Sequence, residues 1–494
     1  MINEGGLPVV DVPHGYAATD VALFSGLTFA LQTFAKEVSG GKKIHSLDFD
    51  RYSLIFSPVS GRNTLCVKMS EEIANHEIRD LVMEEIVQCV EDIQPNADLT
   101  VVQAQGDRLI GPLSNFLDLG FLNEMLAPHG YQLRTLNRAV CYFNVIGELK
   151  VANIADLQNY HWNLTEVEVQ SILAEIVPKM EILSQQSSQQ VRNTVFSFPK
   201  IKRIGLASLF IHKDPEQTTG QPIHSALIVL FDDIDQIALY RHNSAIGRRL
   251  DEVSKKLMEA GPEGNGIAEH VPDLLAIGRF QVTSTIRKID PKTISFQLLL
   301  KTVKKRKDLD RLLRNIIVGK QVVLAGDLVL AKTIAKTLET FAVHRELIVK
   351  EGALASDKSE ADIVTTNQDW SAYRDSDTVI LDIENVKVRG GISSKFCQNL
   401  LKTIQKKKNI ADAISFIETE LKKIVAHVTT LVDLAQAEDG KISEDQLKVF
   451  RQELEEDKLE IVTEIALATS PLISDSIRKT TEAIQAFESY LLRF

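Results

Sequence analysis

Seven consecutive residues, Ser225-Ala226-Leu227-Ile228-Val229-Leu230-Phe231, carry no charge and a single hydroxyl, and this run constrains the chain more than any other. An apolar run of that length reads as a strand buried in a sheet. Ile204 to Ile211 is a second strand candidate upstream, and Gln236 to Tyr240 is expected to be a short third. A helix follows from about Ala245 to Ala260, and Gly261-Pro262 stops it. Residues 261–268 read as a loop. Such a sheet needs helical cover, and 494 residues supply several domains' worth of chain.

The first 95 residues show a comparable order. A short strand is expected at 6–12 and a loop at Pro13-His14-Gly15, with Thr19 or Asp20 capping a helix. Phe24, Leu27, Leu31, Phe34 and Val38 follow a 3-4-3-4 spacing, which predicts one buried stripe ended by Ser39-Gly40-Gly41. Three strands are expected at 43–49, 53–57 and 64–69, with a turn at Ser60-Gly61-Arg62-Asn63, then a helix over about 76–91.

Residues 98–190 read as a helical module. Helices near 151–159 and 165–177 give it a winged-helix-like look, and Thr165 with Glu168 forms a capping box. Six Lys/Arg against ten Asp/Glu over 98–195 argue against DNA. The second helix carries Glu166, Glu168 and Glu175 before its first basic residue, Lys179, and would repel phosphates. Ser184 to Gln190 is polar and reads as a linker.

The last third alternates strand and helix: helix 309–317, strand 321–325, helix 327–341 and strand 378–383. Ile410, Ile414, Ile417, Leu421, Ile424, Val428 and Leu431 repeat at 4-3-4-3-4-3 on a helix of about 409–435. A bundle helix packed inside its domain explains that seam better than a dimer coil. Ile484, Phe487, Leu491 and Phe494 share one face of a closing helix.

Recognisable catalytic patterns are sparse. The chain contains no G-x-x-x-x-G-K-[ST], HExxH or G-x-S-x-G. Gly319-Lys320 and Gly326-Asp327 flank a strand-to-helix turn of the kind that can cradle phosphate, and a tight connection is the plainer reading. Asp439-Gly440-Lys441 suggests an EF-hand, but the register puts Ala435 first, Ala437 third and Gln446 twelfth, which excludes calcium. Lys304-Lys305-Arg306-Lys307 and Lys406-Lys407-Lys408 read as solvated faces. Cys66, Cys89, Cys141 and Cys397 form no CxxC pair and fit a reducing compartment. The formal charge of −11 argues against a broad nucleic-acid surface. The start of the chain lacks a signal-peptide pattern, and Val21 to Ala35 is too short and polar to span a bilayer. A cytoplasmic location is expected, with at most peripheral membrane contact, and neither cofactor nor metal.

Gly6-Leu7-Pro8-Val9 with the helix from Leu23 to Leu31, followed by meander and helix, resembles a longin domain, with the roadblock fold a close alternative. From about 193 to 435 the chain resembles the folliculin-like longin–DENN family. Phe196-Ser197-Phe198 leads to Gly205-Leu206-Ala207-Ser208-Leu209-Phe210-Ile211, then to the 225–231 run with Asp232, to Ile237-Ala238-Leu239-Tyr240, and to Ile246-Gly247-Arg248. Ile317-Val318-Gly319-Lys320-Gln321-Val322-Val323 resembles the entry to a C-terminal DENN domain.

The resemblance implies an α+β and α/β multidomain chain. Its units would be a longin- or roadblock-like domain at 1–95, the winged-helix-like module at 98–190, a longin domain at 193–300 and a DENN-like domain with helical tail at 301–494. It implies regulation of small GTPases, by nucleotide exchange or as a scaffold, in trafficking or nutrient-type signalling. A second longin or DENN chain is a possible partner, and no catalytic chemistry is implied for this chain itself. A non-catalytic tethering subunit is the alternative, and a DNA-binding regulator a weaker one. Some relatives insert an arginine from the loop before the 225–231 strand. Here that loop, Thr218 to His224, has no arginine, and Thr219 falls near the family position. The GTPase-contact candidates are Lys202, Arg203, Lys213, Gln221 and His224.

Overall fold

The computed structural model describes residues 21–38, 45–48, 52–59, 63–70, 76–93, 109, 112–146, 157–185, 192–212, 223–261, 266–284, 294–302, 306–351, 361–367, 377–407, 409–436, 449–450, 454 and 456–491. The chain is mixed α+β and divides into two compact units. Residues 1–135 with 279–287 make one, and residues 136–278 with 288–494 the other.

In the first unit, α1 (Val21–Val38) precedes an antiparallel meander of β1 (Ser46–Asp48), β2 (Tyr52–Val59) and β3 (Asn63–Ser70). Helix α2 (His76–Ile93) follows, burying Ile78, Val82, Ile86 and Val90. Of the stripe expected on α1, Leu31 is half-buried and Phe34 is 64% exposed, while the side chains of Phe24, Leu27 and Val38 lie outside the described residues. Downstream, α3 (Leu119–Leu126) leads into β4 (Tyr131–Thr135), which pairs with a distant strand, β10 (Phe280–Ser284). Asn123 ties helix to strand, its side chain accepting from Leu133 N at 2.7 Å and donating to Leu133 O at 2.9 Å. The strand expected at 6–12, its loop and the glycine stop at 39–41 lie outside the described residues.

The second unit is built on the apolar run. β5 (Arg138–Ile146), β6 (Leu157–Trp162), β7 (Arg192–Phe198), β8 (Arg203–His212) and β9 (Ile223–Asp232) form an antiparallel sheet of order β6-β5-β9-β8-β7. The run is thus its central strand, and alternation sends its side chains to both faces. On one face α4 (Glu166–Gln185) buries Val169, Ile172, Leu173, Ile176 and Met180 over Cys141, Phe143, Ile228 and Leu230. On the other, α5 (Gln236–Ala260) packs Leu239, Ile246, Leu250 and Val253 against Tyr142, Leu206, Phe210 and Val229. α6 (Ile267–Ala276) extends that cover.

Three expectations change here. The 98–190 segment is not a helical module. Its described part contains β4, β5 and β6, and residues 157–159, where the end of a helix was expected, pair with β5, while 151–156 lie outside the described residues. Residues 138–146 bury alternate side chains on both faces, which hides their strand period. Helix 166–185 packs its apolar face onto that sheet. The boundary near 190 does not separate packing units, because β5 and β6 share a sheet with β7, β8 and β9. Residues 236–240 open helix α5 instead of forming a strand, since Ala238, Leu239 and Tyr240 continue the helical core contacts. The linker expected at 184–190 falls mostly outside the described residues.

The rest of the unit is α/β. α7 (Phe296–Lys301) and α8 (Arg306–Val318) precede β11 (Val322–Ala325), α9 (Leu328–Glu339), β12 (Val349–Glu351), β13 (Ile363–Thr366), β14 (Val379–Asp382) and β15 (Lys387–Arg389). The sheet order is β12-β13-β11-β14-β15, parallel except for β15. α10 (Lys395–Ile404), α11 (Ile410–Gln436), α12 (Glu456–Thr469) and α13 (Ser474–Leu491) close the unit. The heptad seam of α11 is buried within the unit, from Ile414 through Leu431. Ile484 of α13 is buried, while the side chains of Phe487, Leu491 and Phe494 and the 437–448 segment lie outside the described residues. Among the described residues no helix is long and apolar enough to cross a membrane.

Candidate interaction surface

The described GTPase-contact candidates Lys202 and Arg203 lie at one end of the five-stranded sheet, in the turn joining β7 to β8. Pro199–Ile201 forms a 3-10 turn, and Lys202 closes it at φ 52 and ψ 46. That left-handed conformation costs a side chain with a Cβ about 1 kcal/mol or more. Lys202 is exposed, as is Lys200.

Arg203, the next residue, is buried at 7% exposure. Its Nη2 lies 3.1 Å from Glu168 Oε1, and its Nη1 lies 2.7 Å from Asp232 Oδ1 at an angle unsuited to a hydrogen bond. Arg203 therefore pins the start of β8 to the first turn of α4 and to the end of β9. Glu168 also completes the capping box: Thr165 N donates to its Oε2 at 2.9 Å, and its own N–H reaches Thr165 Oγ1 at 3.3 Å. Burial alone would push the Glu168 carboxyl up. The Thr165 and Arg203 hydrogen bonds, with the guanidinium charge, together hold it below the usual carboxylate range. Asn137 Nδ2 donates to Asp232 Oδ1 at 3.3 Å, and Asp233 N donates to Lys202 O at 3.0 Å.

This knot brings two apolar side chains to the same rim. Val167, one residue before Glu168, is 74% exposed. Ile234, in the 3-10 turn Asp233–Asp235 that follows β9, is 78% exposed. Glu166 is exposed beside Val167, and Asp233 is half-buried beside Ile234. The rim thus presents two branched apolar groups, two lysines and two carboxylates on well-anchored backbone. Val167 could have been suspected from sequence, because it falls off the stripe of Val169, Ile172 and Ile176. Ile234 gave no such signal, since it sits between two elements.

The other candidates lie elsewhere. His224 is at the opposite end of β9, is 2% exposed, and burial depresses its pKa. His212 at the end of β8 is equally buried and is pushed down to about 4 by the same cause. Lys213 and Gln221 lie outside the described residues. Arg203 and His224 accordingly offer no free side chain to a partner.

The outer edge of β7 is closed by the C-terminal helices. Ser197 N donates to Gln436 Oε1 at 3.0 Å, Ser470 Oγ to Val195 O at 3.0 Å, and Leu472 N to Thr194 Oγ1 at 3.3 Å. Asp433, on the last turn of α11, lies half-buried beside this edge, and its carboxyl is pushed up to about 6. Burial is the main cause, and the charges of Glu175 and Asp233 add to it against a Ser197 hydrogen bond.

At the carboxyl ends of β11 and β14, Gly326 turns at φ 131 and Asp327 caps α9 by accepting from Leu330 N at 2.8 Å. Asp382 accepts from Asn385 N and Nδ2 at 3.0 and 2.8 Å. With Glu384 beside Gly326, the crevice is acidic and unsuited to phosphate. The Gly326-Asp327 turn is the tight connection anticipated. Lys406 and Lys407 are exposed, and Lys407 lies over the Phe416 ring at 4.9 Å.

No family model matches the sequence, and no curated protein matches it either.

Proposed function

We propose that the chain is a longin–DENN-type regulator that binds a small GTPase, as exchange factor or scaffold. One observation carries the reading: the order of elements from residue 157 to 436. β6, α4, the β7-β8-β9 meander and α5 follow the strand, helix, three-strand meander, helix order of a longin domain. The parallel unit then has strand 322–325, helix 328–339, strand 379–382 and long helix 410–436 in the order expected of a DENN domain, with β12 and β13 before the second of these strands and β15 and α10 after it. On this reading the longin element begins at least as early as β6. The first unit's helix, meander and helix support a second domain of longin or roadblock type.

A regulator of this kind works by reshaping the switch regions of its GTPase and needs no covalent chemistry of its own. The absence of an arginine between Thr218 and His224, and the burial of Arg203 in two ion pairs, favour exchange or scaffolding over an inserted arginine. The test is capture of the full chain by a panel of small GTPases, each loaded with GDP or with a non-hydrolysable GTP analogue. State-dependent binding to at least one member is expected, and none across the panel refutes the proposal. Binding indifferent to the nucleotide would favour the tethering-subunit alternative.

A further inference from the structure

The rim around Arg203 supports an inference that does not depend on the GTPase reading. We propose that this end of the sheet is where two copies of the chain associate face to face. Val167 and Ile234 are exposed at 74% and 78%, yet neither is on a loose segment. Val167 belongs to the first turn of a capped helix, and Ile234 is held by the Asp233 N to Lys202 O bond. Rigid, exposed branched side chains lose little entropy on docking, which suits them to an interface core.

Charge decides what covers them. The rim carries both signs: exposed Lys200 and Lys202 at the β7–β8 turn, exposed Glu166 next to Val167, and Asp233 next to Ile234. A twofold axis sets residue i against j and j against i, so a patch holding both signs can complement itself. Lysines of one copy then meet carboxylates of the other around a shared apolar centre. An anionic lipid surface fits worse, because the same carboxylates would face it. Lys202 adds an independent pointer. It occupies a left-handed position where glycine or asparagine would be relaxed, and strain of that kind collects where a side chain is used. A rim of this size implies a weak dimer, with a dissociation constant on the order of micromolar.

The test is sedimentation velocity on the full chain from about 1 to about 200 µM, a range bracketing weak interfaces. A dimer that fills with concentration is expected. Val167→Asp and Ile234→Asp should each weaken it at least about tenfold, as for central interface residues. Lys202→Glu and Glu166→Lys should each weaken it too, and the double swap should regain most of the loss. Lys202→Asn, which tolerates the left-handed backbone, should weaken the dimer without lowering the melting temperature, separating docking from folding. A monomer at every concentration overturns the proposal. So does a dimer unmoved by all the single substitutions, and a double swap no better than its parts overturns the reciprocal pairing.

Discussion

Replacing Arg203 by methionine tests how the sheet end is held. Methionine keeps most of the stem's packing and removes the charge, so Glu168 and Asp232 lose a shared partner. Breaking a fully buried pair costs about 3–5 kcal/mol. Here the carboxylate side chains retain 20% and 30% exposure, so water compensates in part and about 2–3 kcal/mol is expected at neutral pH. The loss must depend on pH. Glu168 titrates below its unfolded value, so its contribution is present above about pH 4.3 and disappears as pH falls through the folded value. Arg203 is part of that depression, so the difference between variant and parent should shrink towards pH 3. Urea unfolding followed by Trp162 fluorescence reads it, in a Trp370→Phe background that removes the other of two tryptophans. Arg203→Lys should recover only part of the loss, since lysine cannot span both acids with a planar fork. A loss under about 0.5 kcal/mol at pH 7, the size of an ordinary surface change, or an undiminished loss at pH 3, would refute the reasoning.

Other consequences are equally concrete. Asp433 titrates near 6 against an ordinary 3.8, so the fold favours its protonated form and gains stability as pH falls from above 6 towards 4. Asp433→Asn should therefore stabilise the chain at pH 7.5 by up to about 2–3 kcal/mol, with the gain gone near pH 4, by urea titration at both values. Thr165→Ala removes half of the capping box and should cost about 1 kcal/mol, seen as faster hydrogen exchange in the first turn of α4. In Gly205→Ala, the new methyl would lie 2.8 Å from Leu230 Cδ2 and 2.9 Å from Val229 O. A loss of about 1–3 kcal/mol and a lower melting temperature follow, because neither neighbour in the β8–β9 pair can move away.

What could be read from sequence was local. The capping box needs only Thr165 and Glu168 three residues apart, and both bonds form. The seam from Ile414 to Leu431 needs only its own period, and it is buried as its spacing implies. What escaped was long-range. β5 alternates across both faces of a buried sheet, so its period is masked, and its partner β9 lies some eighty residues on, with Asn144 beside Ser225. β4 pairs across a still longer gap, Arg134 against Gln281. The candidate site shows the same division. Lys202 and Arg203 stood out as basic residues beside a strand, but adjacent positions have opposite fates. Lys202 turns outward on a left-handed backbone, while Arg203 is drawn inward by two acids, 35 residues before it and 29 after it. No spacing rule connects those acids to it. Phe34 misled in the other direction, because periodicity shows that a face is apolar without showing that anything covers it.

The most direct test of the proposed function is nucleotide release. Small GTPases captured by the full chain would be loaded with a fluorescent GDP analogue, and its release followed with and without the chain. The account predicts that the chain changes the release rate of at least one GTPase at least about tenfold, a change of about 1.4 kcal/mol in the barrier to release. Unchanged release from every GTPase that binds, together with binding indifferent to the nucleotide, would contradict it.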